Sequence, residues 1–203
     1  GDTVPDREKA VARGLLRESI PTAVRGGAEV FVRVNRALAQ ADIKASVWPG
    51  LRGIVYAGAE SANEMENLDS LLTDIERRRG ILDHSLQVIV LLQSGQGVWN
   101  IREIVRASSR VSSVGLDEIN LCKDLGIVPN RGFDPFVYAK GRIVVEGRAA
   151  KVQPVGFSHP HGLFRGSDDP DEIHRTALRS KNLGFAGVIC PDPSWVEPCN
   201  RAF

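Results

Sequence analysis

Residues 53–92, GIVYAGAESANEMENLDSLLTDIERRRGILDHSLQVIVLL, hold the pattern that decides the fold. The stretch opens on a short apolar run, GIVYA at 53–57, and closes on another, QVIVLL at 87–92. Both are rich in Val and Ile and bounded by Gly or polar residues, as strands buried on both faces are. Between them Met65, Leu68, Leu71, Leu72 and Ile75 recur at helical spacing within 62–79. Strand, helix, strand in this order is a βαβ unit, which pairs its strands in parallel.

The alternation continues in both directions. Segments 28–34, 111–115, 152–157 and 187–190 read as further strands. Segments 8–20, 100–107, 135–149, 171–183 and 194–203 read as helices, with Pro170 placed to start one of them. Such alternation calls for an α/β fold with a parallel sheet, either a doubly wound open sheet or a (β/α)8 TIM barrel. A barrel usually takes roughly 250 residues. On the barrel reading, about two leading strands are missing from these 203 residues, because the first element is a helix. No repeat or linker divides residues 1–203, which read as one domain.

Composition excludes several classes of function. Lys+Arg number 26 against 25 Asp+Glu, a formal net charge of +1, so bulk charge does not draw the chain to nucleic acid. No apolar run approaches the roughly 18 residues of a membrane span. The opening GDTVPDREKA lacks the apolar core of a signal peptide. Cys122, Cys190 and Cys199 have neither metal nor disulfide spacing and read as small buried groups. A reducing compartment, the cytoplasm, is the expectation.

In barrels and open sheets alike, chemistry sits where strands end. Arg33 lies inside an apolar strand, where a buried guanidinium needs a carboxylate partner. It is either a clamp for an anionic substrate or a structural ion pair with Glu60 or Asp117. After 87–92 comes GQG at 95–97, with Asp117 about twenty residues on, a partial dinucleotide fingerprint in which Asn100 replaces the third glycine. A plain turn with Asn100 as helix cap is the simpler account, although Gly95 remains a candidate contact for a bound anion. His159 and His161 form the one close histidine pair, with Asp168 and Asp169 nearby. Without Cys or a third spaced His the metal signal is poor; a solvated loop is the simpler account, and proton transfer is the functional alternative. Trp48, Trp99 and Trp195 read as packing residues, with a pocket border as the alternative for Trp99 in its turn.

Seven segments, in order, together resemble the citrate lyase beta subunit branch of the HpcH/HpaI aldolase family. They are DTVP at 2–5 with Lys9 and Arg13, VFVRVN at 30–35, GIVY at 53–56 with Glu60 and Ser61, GVWNI at 97–101, DLG at 124–126, LGFAG at 183–187 and EPCNRAF at 197–203. The resemblance implies a (β/α)8 barrel and a trimeric or hexameric homo-oligomer. It implies cleavage or formation of a carbon–carbon bond beside a carbonyl, in an organic acid or acyl-CoA substrate. It further implies Mg2+ held by a Glu and an Asp, with the strand arginine, here Arg33, on the oxygen that gains charge.

Both metal positions depart from that pattern: Gln93 stands at the Glu and Asn120 at the Asp. A shift in alignment would bring Asp117 or Glu118 there instead. Mg2+ is held mainly by carboxylate charge, and at an effective dielectric of about 20 each carboxylate contributes several kcal/mol. Two neutral amides therefore predict weak Mg2+ binding or none. Gln93 and Asn120 still hydrogen-bond, so with Arg33 and Gly95 they form a candidate substrate grip. Asp117, Glu118 and His159 are the proton-transfer candidates. The expected function is a carbon–carbon lyase of the aldolase superfamily, diverged at its metal site. The alternative is an inactive paralogue acting as a binding or regulatory subunit, and a nucleotide-binding oxidoreductase rests on the glycine turn alone.

Overall fold

The computed structural model describes residues 4–128, 133–156 and 169–203. Among the described residues five parallel strands form one sheet: β1 (Val30–Asn35), β2 (Leu51–Ala57), β3 (Gln87–Leu92), β4 (Val111–Leu116) and β5 (Gln153–Pro154). Their spatial order is their chain order, β1-β2-β3-β4-β5, and Val155 continues it through a parallel bridge to Gly187. A doubly wound sheet reverses direction at a switch point. An unbroken order with right-handed crossovers winds one way only, which is how a barrel is built.

Helices fill the crossovers: α1 (Lys9–Val24), α2 (Ala39–Ser46), α3 (Ala62–Arg79), α4 (Gly95–Trp99), α5 (Ile101–Ile104), α6 (Glu118–Leu125), α7 (Val137–Ala149), α8 (Pro170–Asn182) and α9 (Val196–Ala202). Helix α3 shows why the sequence reads so clearly there. The Ser61 hydroxyl accepts from the Glu64 amide at its start, and Gly80 ends it at φ +64°. Met65, Leu68, Leu72 and Ile75 are buried along one face, against Ile54, Val88 and Val90 of the sheet.

Several expectations need correction. Segments 152–157, described as far as 156, and 187–190 do not form full strands: the first shrinks to Gln153 and Pro154, and the second to the Gly187 bridge. Segment 100–107 shortens to α5, with the separate α4 just before it, and Asn100 makes no side-chain cap. Ser94 caps α4 instead, accepting from the Gly97 amide at 3.1 Å. Helices α2 and α6 had no counterpart in the sequence reading. In α1 only Ile20 is buried, and Val11 and Leu15 face outward.

A charged network ties the lower end of the sheet together. Arg110, just before β4, is 3 % exposed and sends its guanidinium into α3. Its Nε donates to Asp69 Oδ1 at 2.7 Å, and Nη2 and Nη1 donate to the two oxygens of Glu76 at 2.6 and 2.9 Å. Glu76 also accepts from the His84 and Leu86 amides, both at 3.0 Å. Burial acts to raise both carboxyls, but Ser108 and Arg110 at Asp69, and Arg110 with the two amides at Glu76, hold them below the usual carboxylate range.

Removing one side of so enclosed a pair leaves a bare buried charge. Arg110→Met should cost about 3–5 kcal/mol, measured by denaturant unfolding. Because both carboxyls are lowered in the folded state, their stabilisation is present above the unfolded value near pH 4 and is lost as pH falls through the folded values. Unfolding midpoints should therefore drop below about pH 4 in the parent protein, and drop less steeply in Arg110→Met.

Candidate active site

The site is assembled by strand register. Leu92 of β3 lies opposite Leu116 of β4, so Gln93 and Asp117 leave the sheet side by side. Asp117 donates its amide to Leu92 O at 2.9 Å, which fixes that exit. Arg33 sits in β1 opposite Val55, two residues before the strand ends. These ends open into a cavity of about 1250 Å³, lined in part by Arg33, Arg36, Gln93, Asp117, Glu118, Asn120 and Lys123.

At its centre one oxygen, Asp117 Oδ2, accepts from three side chains. Arg33 Nη2 lies at 3.0 Å, Gln93 Nε2 at 2.9 Å and Asn120 Nδ2 at 2.9 Å. The other oxygen accepts from the Asn120 amide at 3.2 Å, making Asp117 the N-cap of α6. Burial acts to raise this carboxyl, but the Gln93 and Asn120 hydrogen bonds and the Arg33 charge prevail and hold it below the usual range. Arg33 is not buried as the apolar strand suggested. Its side chain is 39 % exposed, because β1 is the edge of the described sheet, and its carboxylate is Asp117 rather than Glu60.

Glu60 has its own partners. Arg36 pairs with it and with Glu64, and the Ser94 hydroxyl donates to Glu60 Oε1 at 2.8 Å. Asn100 Nδ2 donates to the Glu60 carbonyl at 2.8 Å. Gly97 permits this closeness: a Cβ there would stand 2.5 Å from the Ala59 carbonyl oxygen. The Gly95 amide, a candidate anion contact, donates to Asp124 Oδ2 at 2.8 Å.

Glu118 follows Asp117 and is buried. Its Oε1 meets Lys140 Nζ at 2.9 Å, and the same ammonium reaches Asp134 Oδ2 at 2.8 Å. Glu118 Oε2 has no hydrogen-bond partner among the described residues. Burial pushes Glu118 up to about 8 against the lowering pull of Lys140. His159, His161 and Asp168 lie outside the described residues. Trp99 does not line the cavity; it is exposed, with Arg142 5.7 Å from its ring centre. The sequence reading also missed two cations of the lining, Arg36 and Lys123. Arg36 was discoverable, since it is the first residue after β1, where strand-end chemistry sits.

Comparison with known proteins decides the family. The description HpcH/HpaI aldolase/citrate lyase matches residues 1–193. The chain belongs to this family. The citrate lyase subunit beta of Leuconostoc mesenteroides subsp. cremoris is 29 % identical over 205 residues, covering 100 % of this chain and 66 % of that protein. The chain thus spans about two thirds of that relative's length. Among solved structures, the Haloferax volcanii malate synthase pyruvate/acetyl-CoA ternary complex superposes with a TM-score of 0.81 at 15 % identity, over 97 % of this chain and 57 % of that one. The Mycobacterium tuberculosis citrate lyase beta subunit complexed with oxaloacetate and magnesium gives 0.72 at 18 %, over 99 % and 82 %. These likenesses confirm the barrel-type fold.

The donor set in this family member does not fit a magnesium ion. Gln93 and Asn120 turn their amide N–H groups toward Asp117, and Asn120 Oδ1 faces Lys123 Nζ at 3.4 Å. Asp117, the carboxylate between them, is already covered by donors. No group of three His, Cys, Asp or Glu is arranged to hold a metal among the described residues. Cations and amide hydrogens converge where Mg2+ needs anionic oxygen. Calorimetric titration with Mg2+ should show no binding tighter than about millimolar, and Gln93→Glu with Asn120→Asp should tighten it by at least tenfold.

Proposed function

We propose that the chain carries a carbon–carbon lyase site of the aldolase type, acting on an enolisable carbonyl compound that bears a carboxylate or acyl-CoA group, without depending on Mg2+. The observation that supports this is the convergence of Arg33, Gln93 and Asn120 on a single anionic oxygen at the cavity mouth. Breaking a bond beside a carbonyl leaves negative charge on the carbonyl oxygen, and N–H donors preorganised around that oxygen lower the barrier. A guanidinium and two amides supply in hydrogen bonds part of what a metal supplies as a Lewis acid.

A lyase also needs a group that moves a proton. Asp117 is a poor choice, being donor-covered and held ionised. Glu118 is better suited: it lines the cavity next to the donor cluster and holds its proton near neutrality. Citrate lyase and malate synthase relatives, whose names carry citrate, oxaloacetate, pyruvate and acetyl-CoA, point to small organic acids and acyl-CoA esters as the substrate class. A homo-oligomer working in the cytoplasm fits this reading.

Enolisation tests it directly. NMR should show the methyl protons of pyruvate or acetyl-CoA exchanging with D2O in the presence of the protein, undiminished by a chelator. Arg33→Ala should slow the exchange by about a hundredfold. If exchange appears only with Mg2+ in the Gln93→Glu, Asn120→Asp double variant, the protein is an inactive relative that binds without turning over.

A further inference from the structure

The carboxylate at the centre of the site is the protein's own. Three N–H donors from three separate elements, the interior of β1, the end of β3 and the first turn of α6, meet at Asp117 Oδ2 within 3.0 Å. Nothing in local chain geometry requires this. Asp117 needs only its Oδ1 to cap α6, and the Asn120 amide satisfies it there. Meanwhile a guanidinium and two side-chain amides pointing at one position form a receptor for an oxygen carrying full negative charge. A second carboxylate or an enolate seeking those donors finds Oδ2 in its place.

We propose that Asp117 is a built-in competitor: it occupies an anion hole formed by Arg33, Gln93 and Asn120, and a ligand's anionic oxygen gains the hole only by displacing it. The inference rests on the reading of those three residues as the substrate grip and adds what closes it. Displacement requires no covalent step, only rotation of one side chain whose other oxygen stays near the helix start. The apparent affinity of the hole is then the intrinsic affinity reduced by the fraction of molecules in which Asp117 has turned away. The donor set also selects the ligand chemistry, since a guanidinium and two amide N–H groups suit an anionic oxygen better than a neutral carbonyl.

The test is calorimetric titration of pyruvate into the whole chain. Asp117→Ser keeps a good helix cap but is too short to span to Gln93 and Arg33, so it opens the hole. Pyruvate affinity should rise by about tenfold or more over the parent protein. Asp124→Asn removes a carboxylate charge from the same cavity without touching the three donors and should change affinity by less than about threefold. Adding Arg33→Ala to Asp117→Ser should abolish the gain. Asp117→Asn, which retains cap and bulk but not charge, should gain less than the serine variant, and stands in for it if the serine variant fails to fold.

The proposal is overturned if the opened variant binds pyruvate no tighter than the parent. It is also overturned if Asp124→Asn gains as much, because simple loss of negative charge would then suffice, or if no variant binds pyruvate at all. The lyase reading fails separately, through absence of proton exchange. A protein that exchanges nothing yet gains affinity on Asp117→Ser retains the anion hole and loses the lyase.

Discussion

One carboxylate oxygen organises the cavity end of this barrel. Asp117 Oδ2 gathers donors from β1, β3 and α6, and so sets how far apart three strand ends stand at the mouth. The pairing of Leu92 with Leu116 brings Gln93 and Asp117 together, and the capping of α6 holds the carboxylate where the donors reach it. Sheet register, helix start and polar site are therefore one construction. A slip of one residue in β4 would turn Asp117 to the other face and scatter its partners.

Relative to the family pattern, shape is kept and charge is changed. Gln and Asn are close in size to Glu and Asp. What differs is the sign of the groups they present. A carboxylate offers only acceptors, whereas an amide also offers two N–H donors, and here both amides use a donor toward Asp117. At these two positions the chain presents N–H donors where a pair of acids would present acceptors alone.

The sequence disclosed the framework unevenly, for physical reasons. Strands β2 and β3 and helix α3 were legible because their burial patterns are long and their ends are marked by Ser61 and Gly80. Helix α6 was hidden, since it starts one residue past Asp117 and spans only eight residues, too short to show a helical period clearly. Helix α2 is similarly short, with buried Ile43 almost alone on its inner face. Strand β5 is too brief, with Pro154 in it, to show any period. In the site, Arg33, Gln93, Asp117 and Asn120 were each visible as candidates. Their meeting at one atom was not, because it depends on a register between strands far apart in the chain. The Arg110 network was unreadable for the same reason: its members lie 34 and 41 residues apart.

That network gives the two ends of the sheet different duties. At the lower end, Arg110, Asp69 and Glu76 brace α3 against the starts of β3 and β4. At the upper end, polar groups ranging from exposed to buried surround a cavity. Substitutions among the upper groups thus leave the brace intact. A scaffold whose rigidity is anchored away from its chemistry is one on which new reactivity can be tried cheaply over generations.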